Sequence, residues 1–341
     1  MSNLKSYIIL VLSVLMVGCS RHAHDPEEFH IGFDIDMVQT KSLLSSSNLN
    51  TAGNRFVVYD VHQSGTALDQ YMDDQCLEYR DAKWTFTKAA GGDKIRIPWT
   101  KKGVHHFMAY NTHDAVASKS LPVEVSYTSF EDEGSYGAKQ QYFNVPAEGK
   151  WKLTKDNQFD FLYSSAIRDV EADGYSPVPM SFKHLFAAVA VVVRNASTSD
   201  LTLEKLSFHN IKDTGSAIVD FDGNVTYDLS DASSGPLFQE APNSKITPGG
   251  EYTLYESLGA GNAFLIWPHL AAELTGAQIK IQYKHPNNST EKTINLSENA
   301  TIKNWTAGNR YIYRIDITDN VISFDVIKVV DWINDDIILE E

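Results

Sequence analysis

The sequence has little cysteine and no surplus of basic charge. It also lacks the series of long apolar runs found in proteins that cross a membrane several times. Only two of its 341 residues are cysteine, so the fold has to rest on hydrophobic cores rather than on a disulfide framework. The 29 Lys and Arg residues are outnumbered by 44 Asp and Glu, which gives a formal net charge of -15. Because a surface this acidic repels phosphate backbones, we do not expect nucleic acid as a partner.

The remaining composition is that of a globular protein. Hydrophobic residues make up 43% of the chain and charged residues 21%, which is enough apolar surface for real cores and excludes a disordered tail protein. At about 150 residues per domain, the length predicts two domains.

The chain also lacks the motifs of known catalytic chemistry. We find no G-x-S-x-G, H-E-x-x-H, C-x-x-C or phosphate-binding glycine loop. The acidic groups at residues 73–74, 131–133 and 335–336 lack the alternating spacing that wraps one calcium ion, so we interpret them as solvated loops. His105 and His106 lie in a strand-like segment and should face opposite sides. We therefore predict no catalytic residue, no metal site and no cofactor.

The N terminus has the pattern of an export signal. Lys5 precedes an apolar run of about a dozen residues that ends at Gly18-Cys19, too short for a spanning helix of about 20 residues. Met16-Val17-Gly18-Cys19 resembles a bacterial lipobox, which predicts removal of residues 1–18 and lipid on Cys19. The alternative is an ordinary cleaved signal with an incidental cysteine. Residues 19–28 are polar and predict a flexible tether.

If Cys19 carries lipid, Cys76 has no cysteine partner. Its neighbours Asp73, Asp74 and Glu78 are acidic, which would raise a thiol pKa rather than activate it. We interpret Cys76 as packed or idle.

From residue 29 onwards the dominant pattern is the alternation of apolar and polar residues. It is clearest at residues 31–37, 279–284 and 310–317, and it predicts strands with one buried and one wet face. In the first strand the apolar positions are Ile31, Phe33, Ile35 and Met37. Short apolar segments with weaker alternation lie at residues 55–59, 105–110, 188–193, 252–255, 263–267 and 324–330. Turn signals such as Asp222-Gly223-Asn224 separate them, so we predict an all-β protein of antiparallel β-sandwiches.

A Gly- and Pro-containing stretch at residues 173–179 lies near the middle of the chain that follows the signal. It predicts a domain boundary, with an N-terminal domain at residues 29–175 and a C-terminal domain at residues 176–341.

Several segments, taken in order, resemble the Bacteroidales fimbrillin family. In the first half, these are Ile31-Gly32-Phe33-Asp34, Thr40-Lys41-Ser42, Phe56-Val57-Val58, Trp84-Thr85-Phe86, Pro98-Trp99 and Phe107-Met108-Ala109-Tyr110. In the second half, they are residues 182–187, Phe264-Leu265-Ile266-Trp267-Pro268, residues 305–313 and Val330-Asp331-Trp332. The resemblance covers nearly the whole chain that follows the signal.

The resemblance implies a specific fold and function. It implies two transthyretin-like β-sandwich domains in a lipoprotein precursor, anchored in the outer membrane through Cys19 and exported to the cell surface. It also implies assembly with other fimbrial subunits into adhesive fimbriae: a trypsin-like protease removes the first strand, and a strand donated by a neighbouring subunit fills the groove. The adhesive ligand, the donated strand and the subunit's place in the fibre stay open.

Two basic residues are candidates for the cleavage site. Lys41 lies in a polar, Ser-rich stretch of the kind that proteases cut, whereas Arg55 adjoins Phe56 and should belong to a strand. We predict cleavage after Lys41, which a strictly Arg-specific protease would not perform.

Two other functions compete with the fimbrial one. A glycan-binding surface lipoprotein would present aromatic residues on one exposed face, but Tyr311 and Tyr313 alternate as core residues do. A hydrolase would need a deep cleft with carboxylates of perturbed pKa. We therefore expect a protein that is not an enzyme.

Overall fold

The computed structural model describes residues 29–37, 49–65, 67–88, 92–111, 123–129, 141–230, 236–254, 263–285, 288–298, 304–319 and 321–331. Within these ranges the chain is almost entirely β-structure. The helix α1 (Val170–Asp173) has four residues, and two 3-10 turns lie at Ala271–Leu274 and Leu296–Glu298. No helix in the described ranges has the length and apolar character that crossing a membrane requires.

The strands of the first half are β1 (Phe33–Met37), β2 (Arg55–Ser64), β3 (Ala67–Arg80), β4 (Lys83–Thr87), β5 (Val104–Asn111), β6 (Ser126–Ser129), β7 (Gln141–Val145), β8 (Trp151–Lys152), β9 (Leu162–Asp169), β10 (Val178–His184) and β11 (Ala187–Asn195). Those of the second half are β12 (Leu201–His209), β13 (Thr214–Asp220), β14 (Val225–Leu229), β15 (Pro236–Glu240), β16 (Ser244–Ile246), β17 (Glu251–Leu254), β18 (Phe264–Ile266), β19 (Gln278–His285), β20 (Asn288–Asn295), β21 (Asn309–Ile317) and β22 (Ile322–Asp331).

These strands form four sheets. A seven-stranded sheet has the order β1-β10-β9-β5-β2-β3-β4. A second sheet has the order β17-β11-β21-β22 with β18 also paired to β11, and a third has the order β15-β12-β19-β20 with β16 paired to β12. The fourth has the order β14-β13-β7-β6 with β8 paired to β13. The prediction of an all-β, antiparallel architecture is confirmed. Two pairings, β1 with β10 and β11 with β21, are parallel, which the sequence pattern did not indicate.

In the described part of the chain, three hydrophobic cores hold the sheets together. One lies inside the curved seven-stranded sheet and contains Phe33, Phe56 and Phe107. The second lies between the opposite face of that sheet, the β14-β13-β7-β6 sheet and the β17-β11-β21-β22 sheet. The third fills the sandwich between the β17-β11-β21-β22 and β15-β12-β19-β20 sheets.

Strand β11 separates two of these cores. Its residues Ala187, Val189, Val191 and Val193 face the third core, whereas Ala188, Ala190 and Val192 face the second. A strand buried on both faces has no wet side, so its sequence is continuously apolar. This burial explains why residues 188–193 show so little alternation.

The predicted boundary near Tyr175 lies inside the seven-stranded sheet. Residues 173–179 contain the end of α1 and the connection to β10, and β9 and β10 are antiparallel neighbours. In addition, β7, which precedes the boundary in the chain, pairs with β13, which follows it. Because sheets extend over it, the division into domains 29–175 and 176–341 stays a prediction.

Candidate functional site

The segment that the sequence predicts to be displaceable lies at one edge of the seven-stranded sheet. Ile31, Phe33 and Ile35 point into the core, each less than a tenth exposed, whereas Asp34 between them is exposed to solvent. This is the alternation expected of a strand with one buried face. The backbone of Met37 ends β1 opposite Phe182, and its side chain lies outside the described part.

Backbone hydrogen bonds hold this segment on both sides. On one side β1 runs parallel to β10, with Phe33 opposite Val178 and Ile35 opposite Met180. On the other side lies the connection between β4 and β5, residues 92–103, which we call the β4–β5 connection. There the N–H of Ile31 donates to the carbonyl of Ile97 at 2.8 Å, and the N–H of Trp99 donates to the carbonyl of Phe29 at 2.8 Å.

The β4–β5 connection also continues the pairing of the opposite edge strand, β4. The N–H of Ile95 donates to the carbonyl of Phe86 at 2.9 Å, and Lys94 forms a bridge with Thr87. The seven-stranded sheet therefore curls until its two edges meet through this connection. The first strand closes the sheet, and its side chains fill the enclosed core.

A buried polar cluster lies beneath the same region. Asp60 in β2 and His105 in β5 are both completely buried, and the Nδ1 of His105 is 2.6 Å from the Oδ2 of Asp60. Burial raises the pKa of Asp60, and the hydrogen bond from His105 opposes that rise. His184 and Asp160 form a second buried pair at 2.7 Å. Because these carboxylates are paired and inaccessible, we interpret them as structural groups rather than as catalytic acids or bases.

His106 faces away from this cluster. Its Nε2 lies 3.1 Å from Gln63, and its ring packs against Phe221, whereas the ring of His105 packs against Trp99. The prediction that the two adjacent histidines face opposite sides of the strand is confirmed. Among the residues described, no group of three or more His, Cys, Asp or Glu side chains is arranged to hold a metal ion.

The other predicted residues fall into two groups. Cys19 and Lys41 lie outside the described residues. Arg55 begins β2, and its Nε lies 3.6 Å from the Oε2 of Glu78, which ties this side chain to strand β3. Cys76 is a half-buried free thiol in β3. Cleavage and lipid attachment stay predictions.

The aromatic residues in the described ranges are used for packing. Trp99, Trp151, Trp267 and Trp305 are buried, and Trp84 is half-buried. The indole N–H of Trp305 donates to the hydroxyl of Tyr313 at 2.7 Å inside the sandwich core. The large apolar side chains that are exposed in the described ranges are aliphatic: Ile167, Leu270 and Val321. The exposed aromatic face that a glycan-binding protein needs is not present in this part of the chain.

Sequence reasoning missed the polar cluster and the role of the β4–β5 connection. Asp60 and His62 interrupt the apolar run of β2, and both are buried. A charged residue in such a run needs a buried partner, which was the available signal. Its partner, His105, could not be identified, because the pairing of β2 with β5 joins residues 45 positions apart.

Comparison with known proteins gives a family match and several structural likenesses. A family model described as fimbrillin-like matches residues 44–332. A fimbrial protein from Bacteroides vulgatus has 13% sequence identity, covers 89% of this chain and 99% of its own, and superposes with a TM-score of 0.54. At this identity the likeness supports the fold alone. No curated protein matches the sequence.

Two other solved structures overlap less closely. A fimbrial assembly protein from Parabacteroides distasonis has 11% identity, covers 88% of this chain and 98% of its own, and gives a TM-score of 0.39. The fimbrial anchor protein Mfa2 from Porphyromonas gingivalis has 15% identity, covers 88% of this chain and 96% of its own, and gives a TM-score of 0.34. At these scores neither adds to the argument for the fold. Because the family model spans most of the sequence, the chain belongs to the fimbrillin-like family.

Proposed function

We propose that this protein is a structural subunit of an adhesive cell-surface fimbria, assembled by strand exchange after its first strand is removed. Membership of the fimbrillin-like family supports the fimbrial role. The observation that carries the exchange step is the position of residues 29–37. They form an edge segment whose loss would open a sheet on both sides and uncover a hydrophobic core.

The groove left behind would be apolar and lined by unpaired backbone. Burying one large aliphatic or aromatic side chain contributes about 1.5 to 3 kcal/mol. Ile31, Phe33 and Ile35 together therefore stabilise the closed form by roughly 5 to 9 kcal/mol, as an upper estimate. A strand from a neighbouring subunit with apolar residues at alternate positions would recover this energy and pair with the free edge of β10.

Release of the first strand would require a cut between it and β2. Lys41 is our proposed site, since it follows β1 and lies in a polar stretch. Arg55 is a poorer candidate, because its backbone pairs with Glu78 within the sheet and its guanidinium is tied to the same residue. Proteolysis requires a segment that can unfold locally and bind in the active site of the protease, and the pairing of Arg55 opposes such unfolding.

Export and anchoring complete the proposal. Residues 1–18 would be removed as a lipoprotein signal, and lipid on Cys19 would hold the precursor at the outer membrane through the polar tether of residues 19–28. A cut after Lys41 would then separate the subunit from both its anchor and its first strand. Cleavage and release for assembly would thus be one event.

Isolation of surface filaments from cells that produce the protein tests this function. We expect the chain in the filaments with an N terminus at Ser42, and we expect the Lys41→Ala variant to stay in the membrane fraction. Filaments that contain the chain with residues 29–41 intact would contradict the exchange step. Absence of the chain from all surface filaments would contradict the fimbrial role.

A further inference from the structure

We infer that residues 98–103, the second half of the β4–β5 connection, are a latch whose undocking controls release of the first strand. The inference rests on the proposed function, because release of the first strand has a role only in strand exchange. It concerns a different part of the chain from the cleavage site, and it can be measured on the uncut protein.

The latch contacts the first-strand segment directly through Trp99. The backbone N–H of Trp99 donates to the carbonyl of Phe29 at 2.8 Å, and Pro98 forms a bridge with His30. The Trp99 side chain is completely buried in the same core as Ile31 and Phe33. Residues 29–31 therefore cannot separate from the sheet without breaking contacts to Trp99.

Side chains from two neighbouring strands bind the backbone of the latch. The hydroxyl of Tyr71 in β3 donates to the carbonyl of Pro98 at 2.6 Å and accepts from the N–H of Thr100 at 3.0 Å. The Nε2 of His62 in β2 donates to the carbonyl of Lys102 at 2.6 Å. These bonds fix the path of the polypeptide on both sides of residue 99, so they position Trp99 under the first strand.

His105 in β5 supports the same region from within the core. Its Nε2 lies 3.4 Å from the carbonyl of Lys101, its Nδ1 is held by Asp60, and its ring packs edge-on against Trp99 with the centroids 5.0 Å apart. The buried Asp60–His105 pair thus supports the latch from below, which accounts for a hydrogen-bonded polar pair in an otherwise apolar core.

Gly103 ends the latch in a conformation that only glycine adopts without strain. Its φ is +111°, and a Cβ at this position would lie 2.7 Å from the carbonyl oxygen of Gln63 and 3.3 Å from the Nε2 of His62. A side chain here would push the latch away from β2 and break the His62 contact. Alanine at residue 103 is therefore a specific way to loosen the latch.

Hydrogen exchange followed by mass spectrometry on the full chain tests the latch. In Tyr71→Phe and in Gly103→Ala we expect amides of residues 29–37 and 97–103 to exchange about tenfold faster than in the wild type. Amides of β19 should keep their wild-type rates, because β19 belongs to a different sheet and core.

Two matched variants serve as controls. Tyr79→Phe changes a tyrosine of the same strand whose hydroxyl makes no hydrogen bond to the described residues. Gly53→Ala places a side chain at a φ of +94° with nothing within 4 Å, so it adds comparable backbone strain without a collision. Neither control should change exchange in residues 29–37.

Two results would overturn the inference that residues 98–103 act as a latch. One is wild-type exchange of residues 29–37 in both test variants, and the other is equal acceleration in β19, which would indicate general destabilisation. The result also separates the latch from the proposed function. If the test variants behave as expected but cleavage after Lys41 yields no polymer, the latch stands and strand exchange fails.

Discussion

The ring of Phe33 in β1 packs edge-on against the ring of Phe86 in β4, with centroids 5.6 Å apart, although β1 and β4 are opposite edges of one sheet. Such a contact is possible only because the sheet curls and the β4–β5 connection joins its edges. Phe33 also packs edge-on against Phe107 at 5.5 Å, on a strand near the middle of the sheet. One side chain of the first strand therefore contacts both the edge and the centre of the sheet.

Phe33→Ala should destabilise the protein by about 3 to 5 kcal/mol, because it removes a ring from a closed core and leaves a cavity. Asp34→Ala, one residue away on the solvent face, should change stability by less than about 0.5 kcal/mol. Urea denaturation followed by tryptophan fluorescence measures both values. Equal effects of the two substitutions would mean that the first strand does not bury one face.

Asp60→Ala should cost about 3 to 5 kcal/mol, since it leaves His105 buried without its carboxylate. Asp228→Ala is the matched control: Asp228 pairs with Lys150 at 2.9 Å on the surface, where solvent screens the interaction, and we expect little change. Equilibrium unfolding of both variants at pH 7 provides the comparison. If Asp60→Ala is as stable as the wild type, the buried Asp60–His105 pair does not stabilise the fold.

Stability should fall as the pH drops below about 6.5, partly because of His269. Burial lowers the pKa of His269. Its Nδ1–H donates to the carbonyl of Trp267 at 2.6 Å, and its Nε2 accepts from the N–H of Lys212 at 3.2 Å, so the neutral ring fits the site. His269 therefore binds a proton more tightly in the unfolded chain than in the folded protein. Its contribution to the free energy of unfolding is complete above its pKa in the unfolded chain, and it is lost as the pH falls towards its pKa in the folded protein.

The His269→Asn variant isolates this contribution. Unfolding free energies at pH 7.5 and pH 5.0 should differ less in the variant than in the wild type. Asp60 has a raised pKa and contributes a slope of the opposite sign, but both proteins share that slope. An unchanged pH dependence in the variant would show that His269 does not titrate differently on folding.

Much of the strand pattern could be predicted because it depends on local alternation. The inward direction of Ile31, Phe33 and Ile35 follows from a period of two, and the structure confirms it. The parallel pairing of β1 with β10 could not be predicted, because it joins Phe33 to Val178, 145 positions away, and no local rule sets that partner.

The less predictable features depend on burial over both faces of a strand or on long-range contacts. β11 showed little alternation because it lies between two cores. Trp99 is identifiable as a large apolar residue from the sequence, but its position beneath Phe29 depends on how the whole sheet closes. Lys41 could be selected as a candidate cleavage site from the polar composition of its own segment, and cleavage there stays a prediction.

The central claim is that losing the first strand turns a closed monomer into a subunit that accepts a strand. The most direct test is brief cleavage of the purified precursor with a trypsin-like protease, followed by N-terminal sequencing and electrophoresis in SDS without boiling. We predict a new N terminus at Ser42 together with a ladder of SDS-resistant oligomers, and neither in Lys41→Ala. A product that begins at Ser42, has lost residues 29–41 and remains monomeric would contradict the account.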